Sequence, residues 1–221
     1  MTLPSITHLG GRRVLFVMAT EAEYGPRLKA MFTPLMTGVG PVETGLFLGS
    51  ALTALKAAGA LPELIVSLGS AGSRRLPRTG LYQVSAAIYR DMDATAFGFG
   101  KGVTPFLDQP AVLTLPWRIP GVPEASISTG ATIIAGSAFA DIAEDMVDME
   151  TFACMRASQV FGVPLIGLRG ISDGDTDVSH IGDWTEYLHV IDEKLADVVA
   201  LLGRCLEEGT LETRADASRA G

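Results

Sequence analysis

The residues most able to do chemistry in this chain are carboxylates placed directly after apolar runs. Glu21 and Glu23 follow "RRVLFVMA", Asp148 and Glu150 flank a methionine in "MVDMETFACM", and Asp173 ends "PLIGLRGIS". Charged side chains rarely enter a core without a partner. An acid at the end of an apolar strand is half-buried, which raises its pKa toward the range of a general acid. That reasoning singles out Asp173. Glu21 and Glu23 also suit the first turn of a helix, where acids are favourable. The run "LGSAGS" lets the backbone approach a ligand and offers N–H donors, but it equally suits a tight turn. It is neither a GxSxG elbow nor a Walker A loop. "ISDGDTD" spaces acids at 173, 175 and 177, but its glycine and terminal acid fall in the wrong places for a calcium loop. Asp175 and Asp177 therefore read as a solvated loop. His8, His180 and His189 lack ligand spacing, so no metal and no cofactor is expected.

The elements that must position these groups alternate between strand and helix. "RRVLFVMA" (12–19) is a strand buried on both faces, since its apolar residues do not alternate with polar ones. "TEAEYGPRLKAMF" reads as a helix with Thr20 as N-cap and Glu23 as its capping-box partner. "GVGPVETGLFLGSALTALKAAG" gives a glycine turn and a helix over about 41–58, with Pro41 at its first position. "PELIVSLGSAG" is a strand running into a glycine turn, and "GLYQVSAAIYRD" is another strand. Residues 100–123 form loop. "ASISTG" is a strand, and "DIAEDMVDMETFACMRASQVFG" passes from a short strand into a helix ended by Gly162. "VPLIGLRGISD" is a buried strand, and a last helix covers about 186–202. The order is β-α-β-β-β-α-β-α, which fits one α/β domain with a mixed central sheet flanked by helices, over 1–203, then a flexible tail over 204–221. Ligands of such sheets bind at the strands' C-terminal ends. The acids and the Gly-Ser run all fall there.

Bulk composition narrows the classes. The chain has 221 residues, of which 48% are hydrophobic, enough for a sizeable core. Its formal charge is -8, the wrong sign for wrapping nucleic acid. The first residues lack the apolar region of a signal peptide, and "AAGALPELIVSLG" is broken by Pro62 and Glu63 before it could span a bilayer. The two cysteines, Cys154 and Cys205, have no CxxC spacing, so reduced thiols, a cytoplasmic location and no membrane partner are expected.

The segments "MATEAEY", "GVGPVETG", "SLGSAGSRRLPRTGLYQVSAAIYRDMDATAFGFG" and "VDMETFACMRASQVFGVPLIGLRGISD" together resemble the 5'-methylthioadenosine/S-adenosylhomocysteine nucleosidases of the purine nucleoside phosphorylase-like superfamily. "DMDATAFGF" and "VDMET…RGISD" are the specific pieces. The resemblance implies a nucleoside phosphorylase-like fold, a small-molecule nucleoside substrate, a role in methionine salvage and a homodimer. The implied reaction hydrolyses the N-glycosidic bond, releasing adenine and a 5-substituted ribose. It places Asp173 as the acid at adenine N7, oriented by Ser70, and Glu23 as the base that activates water. Glu150 would accept hydrogen bonds from the ribose hydroxyls, and Met149 would pack beneath the sugar. Ile134 would read the purine edge through its main chain. Ile133 stands where the family commonly has an aromatic, and Ala131 where an aspartate is usual. Phe97 and Phe99 match a segment that reaches the neighbour's 5'-alkylthio pocket in family dimers, and Trp184 would close the same pocket. The stretch 100–127 is shorter than usual. A phosphorylase, a nucleosidase for another 5'-substituted adenosine and a non-catalytic nucleoside-binding protein are the alternatives. Phosphorolysis needs cations at the phosphate. Ser67 stands where related phosphorylases carry an arginine, and Arg74 and Arg75 follow the GSAG run. Water is therefore the expected nucleophile.

Overall fold

The apolar runs become the central strands of one mixed sheet with helices on both faces. The computed structural model describes residues 3–173 and 184–213. From the N-terminus the elements are β1 (Thr7–Leu9), β2 (Arg12–Met18), a 3-10 turn (Glu21–Glu23), α1 (Pro26–Lys29), β3 (Leu35–Met36) and α2 (Pro41–Ala57). Then come β4 (Leu64–Gly72), β5 (Leu81–Tyr89), β6 (Val112–Thr114), β7 (Trp117–Arg118), β8 (Glu124–Thr129) and β9 (Met146–Asp148). α3 (Thr151–Phe161), β10 (Leu165–Asp173), α4 (Leu188–Glu208) and β11 (Glu212–Thr213) complete the described chain. The strand order is β1-β2-β4-β10-β5-β8-β9, with β3 on β2 and β6 on β5. β2, β4 and β10 run parallel, and β5 is antiparallel to β10. β9 lies parallel to β8 and also meets β4 through Gly72 and Val147, so the sheet curls back on itself there.

Burial on both faces explains why the central strands lack alternation. Along β2, Leu15 and Val17 pack in one core cluster with Leu48 and Leu52 of α2 and Met155 of α3. Val14, Phe16 and Met18 point the other way, to Leu195 and Val199 of α4. α3 ends where Gly162 takes the left-handed conformation, as the sequence suggests.

Several expectations change in the structure. "GSAG" is not a turn: β4 continues to Gly72, because β10 pairs with it in parallel up to Asp173 and β9 crosses it there. The helix expected from residue 20 is a 3-10 turn followed by only one turn of α-helix, broken by Gly25 and Pro26. The loop expected over 100–123 carries β6 and β7. α4 runs past the expected end to Glu208, and β11 pairs with β7. Residues 214–221 of the expected tail lie outside the described residues, as do Asp175, Asp177 and His180. Among the described residues, no helix is long and apolar enough to cross a membrane.

Candidate active site

Glu23 reaches its position through the turn that follows β2. Thr20 is extended, and its hydroxyl accepts from the Ala22 N–H at 3.3 Å, which caps the turn. Glu21 is exposed, whereas Glu23 is buried. Glu23 is not a capping-box partner. Its carboxylate crosses to β4, where Oε1 accepts from the Ser70 N–H at 2.7 Å and the Ser70 hydroxyl at 2.6 Å. Asp192 of α4 secures the chain just beyond, accepting from the Arg27 and Leu28 N–H groups at 2.9 and 3.1 Å. Any side chain at Gly25 would collide with it, since a Cβ there would lie 2.4 Å from Asp192 Cγ. Burial pushes the Glu23 pKa above the usual carboxylate range, and the two Ser70 hydrogen bonds oppose it.

Asp148 and Arg169 form a buried ion pair beneath the site. Arg169 Nη2 and Nε donate to Asp148 Oδ2 at 3.1 and 3.2 Å. The guanidinium also donates to the Ser67 hydroxyl at 3.0 Å, the Ser67 carbonyl at 3.1 Å and the Thr151 hydroxyl at 2.7 Å. Asp148 accepts in addition from the Thr129 hydroxyl at 2.6 Å and the Thr151 N–H at 2.9 Å. It thus caps the first turn of α3. Burial works against the Arg169 cation, but Asp148, Glu150, Cys154 and Glu23 outweigh it and hold its pKa above the ordinary value.

Because Asp148 satisfies the helix start, Glu150 is released from capping although it occupies the N-cap position. Its Oε1 accepts from the Gly40 N–H at 2.9 Å. Gly40 has φ 101°, a conformation that favours glycine. Burial, and then the Asp148 charge, push the Glu150 pKa up to about 7, against the Gly40 hydrogen bond and Arg169. Glu23, Glu150, Arg169, Ser67, Thr37 and Cys154 line one pocket at the ends of β2, β4 and β10. Burial pushes the Cys154 thiol up to about 12, so it stays protonated at neutral pH.

Asp173 is half-buried at the end of β10 and accepts from the Ser172 hydroxyl. Ser70 was expected to orient Asp173, but its hydroxyl bonds Glu23 and also accepts from Trp184 Nε1 at 2.9 Å. The reason is register: Ser70 lies opposite Gly170, and Gly72 lies opposite Asp173. Gly72 allows a close approach, since a Cβ there would be 3.1 Å from Asp173 Oδ2 and 3.4 Å from Phe139 Cζ.

The remaining expected residues lie on a looser rim. Met149 and Ile134 are half-buried, while Ile133 is 72% exposed. Arg90 and Asp91 pin the backbone before Ile133: Arg90 donates to the carbonyls of Ser128, Gly130, Thr132 and Asp148, and Asp91 accepts from the Ala131 N–H. Phe97 is 85% exposed, and Phe99 meets only the edge of the exposed Phe106 among the ring contacts, at 5.6 Å. Arg75 binds the carbonyls of Ile142, Ala143 and Glu144, and the Arg74 guanidinium sits 5.4 Å from the Phe139 ring centroid. Sequence reasoning left Asp148 unassigned and missed Arg169, Thr129, Thr151 and Phe139. The signal for Arg169 was present: a lone cation inside the apolar strand "PLIGLRGIS" needs a buried acid.

A carboxylate pair above a buried cation, with a further acid on the adjoining strand end, matches the groups needed to break a glycosidic bond. No family model matches the chain. A 5'-methylthioadenosine/S-adenosylhomocysteine nucleosidase of Actinobacillus succinogenes is 28% identical over 184 residues, covering 75% of this chain and 77% of the relative. The chain is similar in sequence to these nucleosidases. A futalosine hydrolase mutant of Helicobacter pylori superposes with a TM-score of 0.71 at 18% identity, over 86% of this chain and 98% of that one. An S-adenosylhomocysteine nucleosidase of Streptococcus pyogenes, in complex with 5-methylthiotubericidin, gives 0.69 at 20% identity over 86% and 96%. These solved structures share the fold of the chain, including its single mixed α/β domain.

Proposed function

We propose that the chain is an N-glycosyl hydrolase that cleaves 5'-methylthioadenosine, S-adenosylhomocysteine or both into adenine and the 5-substituted ribose. The convergence of Glu23 and Glu150 on one pocket, over Arg169, carries this reading. Scission of the bond from C1' to the base places positive charge on the ribosyl ring and negative charge on the departing adenine. Asp173 protonates adenine N7, so the base leaves neutral. Glu23 takes a proton from the water that attacks C1', and Ser70 holds Glu23 in place. Glu150 accepts hydrogen bonds from the 2'- and 3'-hydroxyls, with Met149 beneath the sugar. Ile133 and Ile134 face the base, and Phe97, Phe99 and Trp184 border the 5'-substituent.

Water is favoured over phosphate on electrostatic grounds. Two carboxylates line the pocket, Arg169 is committed to Asp148, and Arg75 is committed to backbone carbonyls. The chain works as a homodimer in the cytoplasm, within methionine salvage. The dimer accounts for Val42, Leu46 and Phe47, which α2 leaves exposed opposite its buried Leu48, Leu52 and Leu55. A second reading is a nucleosidase for a larger 5'-substituted adenosine, favoured by the exposure of Phe97 and Phe106.

Adenine release decides between these readings. Purified protein incubated with methylthioadenosine should yield adenine and free methylthioribose with or without phosphate. Asp173→Asn and Glu23→Gln should each lower turnover about 10²- to 10⁴-fold. A sugar 1-phosphate product would make the protein a phosphorylase. Release only from bulkier 5'-adenosines would select the second reading.

A further inference from the structure

The Glu23 carboxylate is reached by a chain of donors whose direction follows from the side chains themselves. An indole N–H donates and cannot accept. Trp184 Nε1 lies 2.9 Å from the Ser70 hydroxyl oxygen, so Ser70 is the acceptor there. That hydroxyl has one proton, and Glu23 Oε1 lies 2.6 Å away. The indole has no lone pair to offer and an ionised carboxylate can only accept, so the Ser70 proton goes to Glu23.

We infer that Trp184 is a positioning residue for Glu23: its indole N–H locks the Ser70 hydroxyl as donor to Glu23 Oε1 and so fixes the carboxylate for proton abstraction. Without that N–H, Ser70 is free to rotate and to accept from water or donate elsewhere. Glu23 then keeps the Ser70 backbone N–H but loses a donor that favours its charged form. The other charged groups acting on Glu23 are Arg169, Asp148 and Glu150, and Glu21 on its own turn is exposed. The protonated Cys154 thiol lines the same pocket. The arrangement links Trp184 to the carboxylate on the far side of β4. It also gives Trp184 a task beyond bordering the 5'-substituent. The catalytic consequence rests on the nucleosidase reading; the donor chain does not.

The test therefore has one arm that needs no turnover. The chain has two tryptophans, so the Trp184 indole N–H resonance is readily assigned against Trp117. In the unmodified protein that resonance should titrate together with the Glu23 carboxyl carbon, which the Glu23→Gln variant assigns. Ser70→Ala should abolish the coupled titration of the indole. Trp184→Phe should raise the Glu23 midpoint by about half a unit, the size of one ordinary hydrogen bond. In the Ser70→Ala background the same change should have no further effect. In the kinetic arm, Trp184→Phe should lower kcat for methylthioadenosine about threefold on the acid limb, with the gap closing at alkaline pH, separately from any rise in KM through its place beside the 5'-substituent. An indole resonance indifferent to Glu23 ionisation would overturn the inference. So would a Trp184→Phe effect that persists without Ser70, or one confined to KM. Absence of adenine release from the unmodified protein would sink the nucleosidase reading alone, and the titration would still decide the role of Trp184.

Discussion

The strand-end pocket and its rim are built on different principles. In the pocket, each charged group is held by groups from other elements: Glu23 by β4, Asp148 by β8, β10 and α3, and Glu150 by the turn before α2. On the rim, Phe97, Phe106 and Ile133 are exposed. Their hydrophobic side chains gain little in the isolated chain. The contrast separates tasks. Proton transfer needs carboxylates fixed to fractions of an ångström, which a rigid sheet supplies. On the nucleosidase reading, the purine and 5'-substituent need apolar cover, which a ligand or a second copy would complete.

The largest effect expected of this contrast is thermodynamic. Arg169→Ala removes one partner of a buried pair and strands Asp148, which is 6% exposed. The expected loss is about 3–5 kcal/mol in urea unfolding. Phe106→Ala, by contrast, should stay within about 0.5 kcal/mol of the unmodified protein. A small loss at Arg169, comparable to that at Phe106, would mean that the pocket is no more tightly built than the rim.

The same contrast explains what the sequence made legible. The uninterrupted apolar runs of β2, β4 and β10 mark strands covered on both faces, and the acids at their ends mark the rim of the sheet. The helix α2 was legible from Pro41 at its start, and the end of α3 from Gly162. The partners of the acids were less legible. Ser70 serves Glu23 rather than Asp173 because β4 continues through "GSAG" in parallel register with β10, and a Gly-Ser-rich strand looks like a turn. The helix read over "TEAEYGPRLKAMF" shrinks to a 3-10 turn and the single turn α1, whose N–H donors are capped by Asp192, far along the chain. Such pairings depend on tertiary register, which local patterning does not encode.

A smaller effect is expected at Glu150, with a sign set by pH. Its pKa rises from 4.5 to about 7 on folding, chiefly through burial. Between those values the native state binds more protons than the unfolded chain, so stability falls as pH rises. Below the unfolded value the residue is protonated in both states and carries no penalty. Above about 7 the penalty is complete, at about 3 kcal/mol. Glu150→Gln keeps a carbonyl oxygen for the Gly40 N–H but has no charge to desolvate. It should therefore be more stable than the unmodified protein at pH 8, by about 2–3 kcal/mol, and the difference should vanish near pH 4.5. Urea melts at the two pH values read this directly. A difference independent of pH would show that Glu150 is not a desolvated carboxylate. Loss of activity in the more stable variant would be the expected trade of stability for function.

The smallest effect on the single chain is expected on the rim, where it should appear in assembly instead. Leu46 is 60% exposed on α2, and Leu46→Glu should change unfolding free energy by no more than about 0.5 kcal/mol. If a second copy covers this face, the substitution buries an unpaired charge in the interface and sedimentation should move from dimer to monomer. On the nucleosidase reading, KM should then rise, because a 5'-pocket completed by the neighbour would lose its cover, while the acid limb of kcat assigned to Glu23 should stay in place. A dimer indifferent to Leu46→Glu would remove α2 from the interface. The concentration dependence is what tells the two regions apart. Defects at Arg169 and Glu150 belong to one folded chain and persist at any protein concentration, whereas a defect at Leu46 should be relieved as concentration drives the copies back together.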